Sequence, residues 1–259
     1  MSNLRTYNAT GFVLHRTSLG EADRIVTIFT KEHGKLNAVA KGSRRANSKL
    51  TGATEPFTNA KYMLGRGRSL DVISQTEILH SYPTIRTDLD LLARASYICE
   101  LLDRTTAAHD MTASEAIYEL TSAAFLLLQR AGPYPDGVVH AYELHLMAEL
   151  GYAPALDRCS ICEESISVRS TSFSVAQGGA VCPDCRLRVR DSFVVSAESI
   201  QTLIELRDSD TQTMLTINPS VRVSAEVART VRAYVAHRVD RPLKSLHFLD
   251  ELRQTSRPD

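Results

Sequence analysis

Apolar and polar positions alternate with period two through the first eighty residues, and the spacing becomes helical after Pro83. The first region reads as strands at residues 11–16, 24–30 and 35–40. The turn Lys31-Glu32-His33-Gly34 joins the last two as a hairpin. A polar loop over 41–54 follows, and then 57–64 and 70–81 form a second hairpin across Gly65-Arg66-Gly67-Arg68. Five short strands in so little chain predict a small closed barrel, of which the OB-fold is the five-stranded type. The barrel offers aromatic side chains at Phe12, Phe29, Phe57 and Tyr62. Aromatic residues on strands more often fill a core than a binding surface.

Beyond Pro83, residues 88–107 place Leu89, Leu92, Ala93, Tyr97 and Leu101 on one broad apolar face, which predicts a helix. Thr112-Ala113-Ser114-Glu115 has the form of a capping box opening a helix over 113–130, which Gly132-Pro133 stops. A further helix over 135–150 halts at Gly151, and helical spacing resumes at 196–209, 225–239 and 243–252. The predicted fold class is α+β and multidomain. It comprises an OB-fold barrel at 1–80, an all-helical domain built from 81–156 and 187–259, and an insertion at 157–186.

The insertion carries four of the five cysteines as two matched pairs, Cys159-Ser160-Ile161-Cys162 and Cys182-Pro183-Asp184-Cys185. Two residues between thiols let a tight turn aim both sulfurs at one point, and two such turns supply the four soft ligands of a structural Zn²⁺. Residues 170–181 between the pairs alternate like a hairpin, with Phe173, Val175 and Val181 on the apolar side. The unit therefore reads as a zinc ribbon with Cys159, Cys162, Cys182 and Cys185 as ligands. Two disulfides, or a redox Cys-x-x-Cys, are the competing readings. Disulfides need an oxidising compartment, and Met1-Ser2-Asn3-Leu4-Arg5 has no apolar stretch that would direct export. A redox site needs only one pair. A closed four-thiolate site leaves no position for water or substrate, so the metal is expected to hold the fold and do no chemistry. Cys99, in an apolar helical run, reads as a small buried hydrophobe.

The formal net charge of zero conceals an asymmetry: residues 1–80 hold twelve Lys+Arg against six Asp+Glu, a net +6 that the remainder balances. Much of this positive charge lies in Lys41-Gly42-Ser43-Arg44-Arg45-Ala46-Asn47-Ser48-Lys49, which has four cations and no acid. Read as a flexible loop beside a barrel, it suits a phosphate backbone, although a solvated run of charge is the plainer alternative. Arg66 and Arg68 in the second hairpin turn extend the same candidate surface. The longest apolar run, 123–128, is far short of a membrane span, which leaves a cytoplasmic protein as the expectation. No phosphate loop, dinucleotide fingerprint, His-Glu-x-x-His or nucleophile elbow is present, so no enzyme is expected. Cys-Pro-Asp-Cys lacks the preceding Pro and the upstream His-x-Glu of zinc deaminases. His140 and His145 are poorly spaced for joint metal ligation on one helix face.

Three stretches carry a resemblance to a known family: Gly20-Glu21-Ala22-Asp23-Arg24 through Gly34-Lys35-Leu36; Lys41-Gly42-Ser43-Arg44-Arg45 through Glu55-Pro56-Phe57; and Arg241-Pro242-Leu243-Lys244-Ser245-Leu246-His247-Phe248 through Leu252. Together with the order of barrel, helical domain and ribbon, they resemble the bacterial recombination mediator family RecO over nearly the full length. Some members of that family lack the cysteines, whereas this chain keeps all four. The resemblance implies a non-enzymatic DNA-repair protein that binds single- and double-stranded DNA and anneals complementary strands. It also implies contact with the C-terminal tail of single-stranded DNA-binding protein and, with RecR, the loading of RecA, in a cytoplasmic, nucleoid-associated setting. DNA contact is carried over to Lys41, Arg44, Arg45 and Lys49, and more weakly to Arg24 and Lys35. The residues of a tail-binding pocket are not assigned. The rival readings are a zinc-ribbon OB protein acting on RNA or in transcription, and an enzyme with its site among the helices.

Overall fold

The computed structural model describes residues 6–130, 134–166, 171–210, 214–239 and 242–255. Its organising strand is β1 (Thr6–Leu19), longer than the 11–16 segment the alternation suggests because it serves two neighbours. The N-terminal half pairs with β4 (Asn59–Gly65), and the C-terminal half pairs with β2 (Asp23–Thr30). The two ladders meet at Gly11, opposite both Thr30 and Ala60. A Cβ there would stand 2.3 Å from the Phe29 carbonyl oxygen, so only glycine permits the crossing. A register shift between Val13 and His15 bends the strand further. β2 continues into β3 (Gly34–Ala40), and β5 (Asp71–His80) pairs antiparallel with β4 and parallel with β3, closing the order β1-β2-β3-β5-β4. This is the predicted five-stranded barrel.

Its interior is filled by Val13, Val26, Ile28, Leu36, Ala38, Tyr62, Leu64 and Ile73. Phe12, Phe29, Phe57 and Tyr62 are all buried, whereas Tyr7 on β1 is half-buried. Phe12 and Phe57 meet the ring of Phe125 at 5.4 and 6.1 Å. None of the four is therefore a stacking platform for bases.

A short helix, α1 (Pro83–Thr87), precedes α2 (Leu89–Thr105), where the Asp88 carboxylate accepts from the Leu91 amide at 3.0 Å as an N-cap. α3 (Ser114–Arg130) departs from the predicted capping box. Ala113 adopts a left-handed φ of 54°, and its carbonyl receives the Ile117 amide. Ser114 donates its hydroxyl to the Lys31 carbonyl, while Glu115 pairs with Lys31 Nζ at 3.0 Å instead of reaching back. The Thr112 amide that Glu115 would accept donates instead to Asp110 Oδ1 at 2.9 Å, so a neighbouring acid and the distant Lys31 together replace the cap. The Gly132-Pro133 stop lies outside the described residues.

By packing, the chain divides into two compact units, Met1–Phe125 with Leu243–Asp259, and Leu126–Pro242. In the second, α4 (Pro135–Glu149) is buried along most of its length and ends before Gly151, whose φ of 82° suits a C-cap glycine. The ribbon follows with β6 (Thr171–Ser174), β7 (Gly179–Val181), the turn α5 (Pro183–Arg186) and β8 (Phe193–Val195). Its sheet has the order β7-β6-β8, so the expected two-stranded hairpin is three-stranded. β8 is only three residues long and carries no alternation of its own. Val175 lies in the turn rather than on the sheet, and residue 170 lies outside the described residues. Two helices, α6 (Ala197–Asp208) and α7 (Val221–Arg238), pack on α4. α7 starts a turn before the predicted 225 because Ser220 caps it, accepting from the Val223 amide.

The last helix, α8 (Lys244–Thr255), belongs to the first unit and packs on α2. The Glu100 carboxylate receives the Lys244 and Ser245 amides at 3.1 and 2.8 Å and the Ser245 hydroxyl at 2.6 Å, which fastens the N-terminus of α8 to α2. Arg241 of the C-terminal motif lies outside the described residues.

Candidate nucleic-acid interface and metal centre

Strand register decides where the cations gather. Ala40, the last residue of β3, lies opposite Arg24 at the start of β2, and Val39 lies beside Val72 at the start of β5. The loop leaving β3 therefore begins between the β1–β2 turn and the β4–β5 turn, at one end of the barrel. This brings Lys41, Arg44, Arg45 and Lys49 to the end that also carries Arg66 and Arg68, and all six are exposed. Among the described residues none of the six is ion-paired. Arg66 lies 5.4 Å from the centre of the Tyr7 ring, a cation–π contact.

The loop is ordered rather than flexible. Successive turns tie Ser43 to Ala40, Arg45 to Gly42, Ser48 to Arg45 and Thr51 to Ser48 through backbone bonds. It is also anchored sideways on the β1–β2 turn: the Arg44 amide donates to Ala22 O at 3.0 Å and its guanidinium to Gly20 O at 2.9 Å. Asp23 accepts the Gly42 amide at 2.7 Å. Asp71, another acid at this end, accepts from the Tyr7 hydroxyl and, at 3.1 Å, from the Gly67 amide. Burial first, then the Asp71 carboxylate, push the Tyr7 hydroxyl far up, so it remains a donor. These acids serve as struts, and their bonds hold the loop and the turn in place.

Arg24 and Lys35 are placed differently. Arg24 Nη1 bonds Thr54 Oγ1 at 2.9 Å and Glu55 Oε1 at 3.2 Å, and Glu55 also receives Arg16. Lys35 Nζ reaches the Asp103 carboxylate at 3.1 Å and the Asp103 carbonyl near the C-terminal end of α2. Both side chains are only 15% exposed. Each is turned to a protein carboxylate, unlike the six cations at the barrel end. The partners lie 31 and 68 residues away in sequence, too far for any local pattern to register.

In the second unit the four cysteines converge. The Sγ atoms of Cys159, Cys162, Cys182 and Cys185 all lie within 4.8 Å of one another, and those of Cys162 and Cys182 are 3.8 Å apart. Four thiolates about 2.3 Å from a common metal have sulfurs about 3.8 Å apart, so the set fits a tetrahedral ion. The separation is far beyond a disulfide bond of about 2.05 Å, and all five cysteines are free. Tight turns build the site. The Glu163 amide bonds Cys159 O at 2.9 Å with Glu163 in the left-handed region, and Pro183 starts the turn that delivers Cys185. Burial pushes the Cys159 thiol up, but the amides of Cys182, Cys162 and Ile161 aimed at its sulfur outweigh that and hold it at about 6. Burial and the three neighbouring sulfurs push Cys185 to about 12. Four thiols crowded on one point cannot all ionise without a cation among them. Ile161, Ile166, Val181 and Val189 are the apolar residues packed around the cluster among the described residues.

The histidines noted in α4 are embedded in the helix packing. His140 Nδ1 is 2.7 Å from Glu143 Oε2, both fully buried, and burial lowers His145. Cys99 is buried, and burial first and the nearby Asp103 second push its thiol well up, as befits a core residue. No helix among the described residues is long and apolar enough to cross a membrane.

A closed OB barrel with a cationic end, followed by a helical unit that carries a four-cysteine ribbon, defines a class of multidomain OB-fold proteins with a metal-site ribbon. Comparison with known proteins narrows the class. The family model "Recombination protein O N terminal" matches residues 1–82, and "Recombination protein O C terminal" matches 86–247. The DNA repair protein RecO of Symbiobacterium thermophilum is 34% identical, with 95% of this chain and 98% of the relative covered. That of Roseiflexus sp. is 35% identical over 98% and 88%, and that of Gloeobacter violaceus 35% over 95% and 93%. The chain belongs to the RecO family.

Proposed function

We propose that this chain is a DNA repair and recombination mediator that binds single- and double-stranded DNA on the cationic end of its barrel. The observation that carries the reading is the group of six exposed cations, none of them ion-paired among the described residues, brought to one barrel end by strand register. Their spacing on an ordered loop suits a phosphate backbone, where binding is driven by charge neutralisation and counterion release. Because Phe12, Phe29, Phe57 and Tyr62 are buried, these rings do not cover the bases, which stay free to pair. Cations that screen the repulsion between two strands while leaving their bases accessible promote annealing without nucleotide hydrolysis, and the protein acts without being an enzyme. With RecR it helps load RecA onto single strands coated by single-stranded DNA-binding protein, whose C-terminal tail it contacts. It works in the cytoplasm at the nucleoid. Zn²⁺ is the ion held by Cys159, Cys162, Cys182 and Cys185, and its part is structural.

The test replaces Lys41, Arg44, Arg45 and Lys49 by Glu and follows strand binding and annealing, without nucleotide triphosphate, as salt is varied. Affinity is expected to collapse and the salt dependence to flatten. Unchanged affinity and salt slope would remove the loop from the mechanism. Competition between matched DNA and RNA strands separates this reading from an RNA-binding one.

A further inference from the structure

The four sulfurs of the ribbon are not equally shielded. Cys159 and Cys185, one from each turn, are 1% and 4% exposed and pack with Ile161, Ile166, Val181 and Val189. Cys159 is also pinned. Its sulfur accepts the Cys182 amide at 3.4 Å, its own amide donates to Glu164 O at 2.8 Å, and its carbonyl accepts the Glu163 amide at 2.9 Å. Cys162 is exposed and Cys182 half-buried, again one from each turn, and their sulfurs stand 3.8 Å apart. The cluster thus has an inner pair and an outer pair, and each pair bridges the two turns.

A cation bound among them keeps the sulfurs as thiolates. The thiolate is the form an electrophilic oxidant takes, and reaction also requires access. Burial withholds the inner pair, whereas Cys162 meets solvent and has Cys182 beside it, a short approach from the about 2.05 Å of a sulfur–sulfur bond. Pairing within either Cys-x-x-Cys turn is disfavoured, because it draws Cys159 or Cys185 out of the packed interior. The fifth cysteine, Cys99, is buried and belongs to the other unit.

We infer that the outer edge of the ribbon is a reversible oxidation site for a small peroxide, at which Cys162 is oxidised and Cys182 closes a disulfide with it, withdrawing two of the four metal ligands. The inference rests on the reading of the cluster as a zinc site. In the first step the Cys162 thiolate attacks one peroxide oxygen: the S–O bond forms, the O–O bond breaks, two electrons pass from sulfur to peroxide, and the departing hydroxide takes a proton from solvent. In the second the Cys182 thiolate attacks the sulfenic sulfur, so that the S–S bond forms, the S–O bond breaks and the released hydroxide is protonated to water. One peroxide, two thiolates and two protons give one disulfide and two waters. Cys159 and Cys185 then remain as half of the set a structural site requires. The new bond ties the same two turns that the metal joins, so a thiol reductant restores the ligands.

The experiment uses the full chain, with its zinc content measured first. Hydrogen peroxide is added, metal release is followed with a chromogenic chelator, and the disulfide is located by mass spectrometry of unreduced peptides. The expected result is a single disulfide, Cys162–Cys182, formed in step with zinc release, both reversed by dithiothreitol with added zinc. Cys162→His keeps a four-ligand set of the Cys3His kind, so it should retain zinc and release it to peroxide about tenfold more slowly. Where that variant does not load, dimedone trapping in the unaltered chain at low peroxide reads the same point, with Cys162 the first sulfur labelled. A disulfide within either Cys-x-x-Cys turn, first labelling of Cys159 or Cys185, or equally fast release from loaded Cys162→His would overturn the assignment. Full retention of zinc under excess peroxide, or a loss that reductant and zinc do not reverse, would overturn it too. Failure of the zinc reading looks different: a chain that holds no zinc even after reconstitution sinks both, whereas a zinc-loaded chain with the wrong pairing sinks only this inference.

Discussion

Lys35 and Lys41 stand near opposite ends of the same strand, and the structure gives them opposite surroundings. Lys35 Nζ is 15% exposed and bonds both the carboxylate and the carbonyl of Asp103. Replacing it by Ala removes charge-assisted bonds worth about 1.5–3 kcal/mol and leaves Asp103, 22% exposed, with His15 at 3.7 Å as its one remaining ion-pair partner among the described residues. For a chain of this size that corresponds to a melting point lower by about 5 °C. Since Lys35 is turned to protein, its loss should leave the salt dependence of DNA binding unchanged. Lys41→Ala should do the reverse. It breaks no ion pair, so stability holds, while the loss of one phosphate contact lowers the single-strand salt slope by about 0.7. The drop in affinity between about 50 and about 200 mM salt then becomes about 2.6-fold smaller. Urea unfolding and salt-titrated anisotropy on the two variants give four numbers. If Lys35→Ala kept wild-type stability but lost salt slope, Lys35 would face the nucleic acid and the sorting of cations by partner would be wrong.

Three further outcomes follow from particular contacts. The purified chain should carry one zinc per molecule, and Cys159→Ser should release it and lower the melting temperature while DNA affinity persists; metal analysis and anisotropy check this, and loss of DNA binding by a still-folded chain would make the ribbon part of the barrel's DNA site. Burial pulls the Glu100 carboxyl upward, but the Ser245 hydroxyl and amide, the Lys244 amide and Arg104 outweigh it, so its pKa lies below the ordinary value. A depressed carboxylate stabilises fully above the unfolded value of about 4.3 and loses that contribution as pH falls through the folded one, so Glu100→Gln should flatten the acid limb of the stability profile. Gly11→Ala drives a Cβ to 2.3 Å from the Phe29 carbonyl and should destabilise the barrel by about 3 kcal/mol; Gly20→Ala, with nothing within 4 Å but a φ of +60°, should lose only about 1 kcal/mol, and equal melting shifts would contradict the crowding argument.

The features legible in the chain are those whose cause is local. Alternation marked the strands, and the two Cys-x-x-Cys turns marked a four-sulfur cluster that fits a metal ion, because the turn itself aims the sulfurs. Features with a distant cause were not legible. Thr112-Ala113-Ser114-Glu115 has the pattern of a capping box, yet Asp110 takes the Thr112 amide, and Lys31, 83 residues earlier than Ser114, pairs with Glu115 and accepts the Ser114 hydroxyl through its carbonyl. β8 has no signal because its three residues acquire a partner only when β6 is already in place. The cations show the same division most clearly. A count of Lys and Arg finds the basic third of the chain but treats Lys35 and Lys41 alike, and only Asp103, brought in by α2, separates them. An exposed cation without a partner is therefore the informative class, and membership in it is a property of the folded barrel.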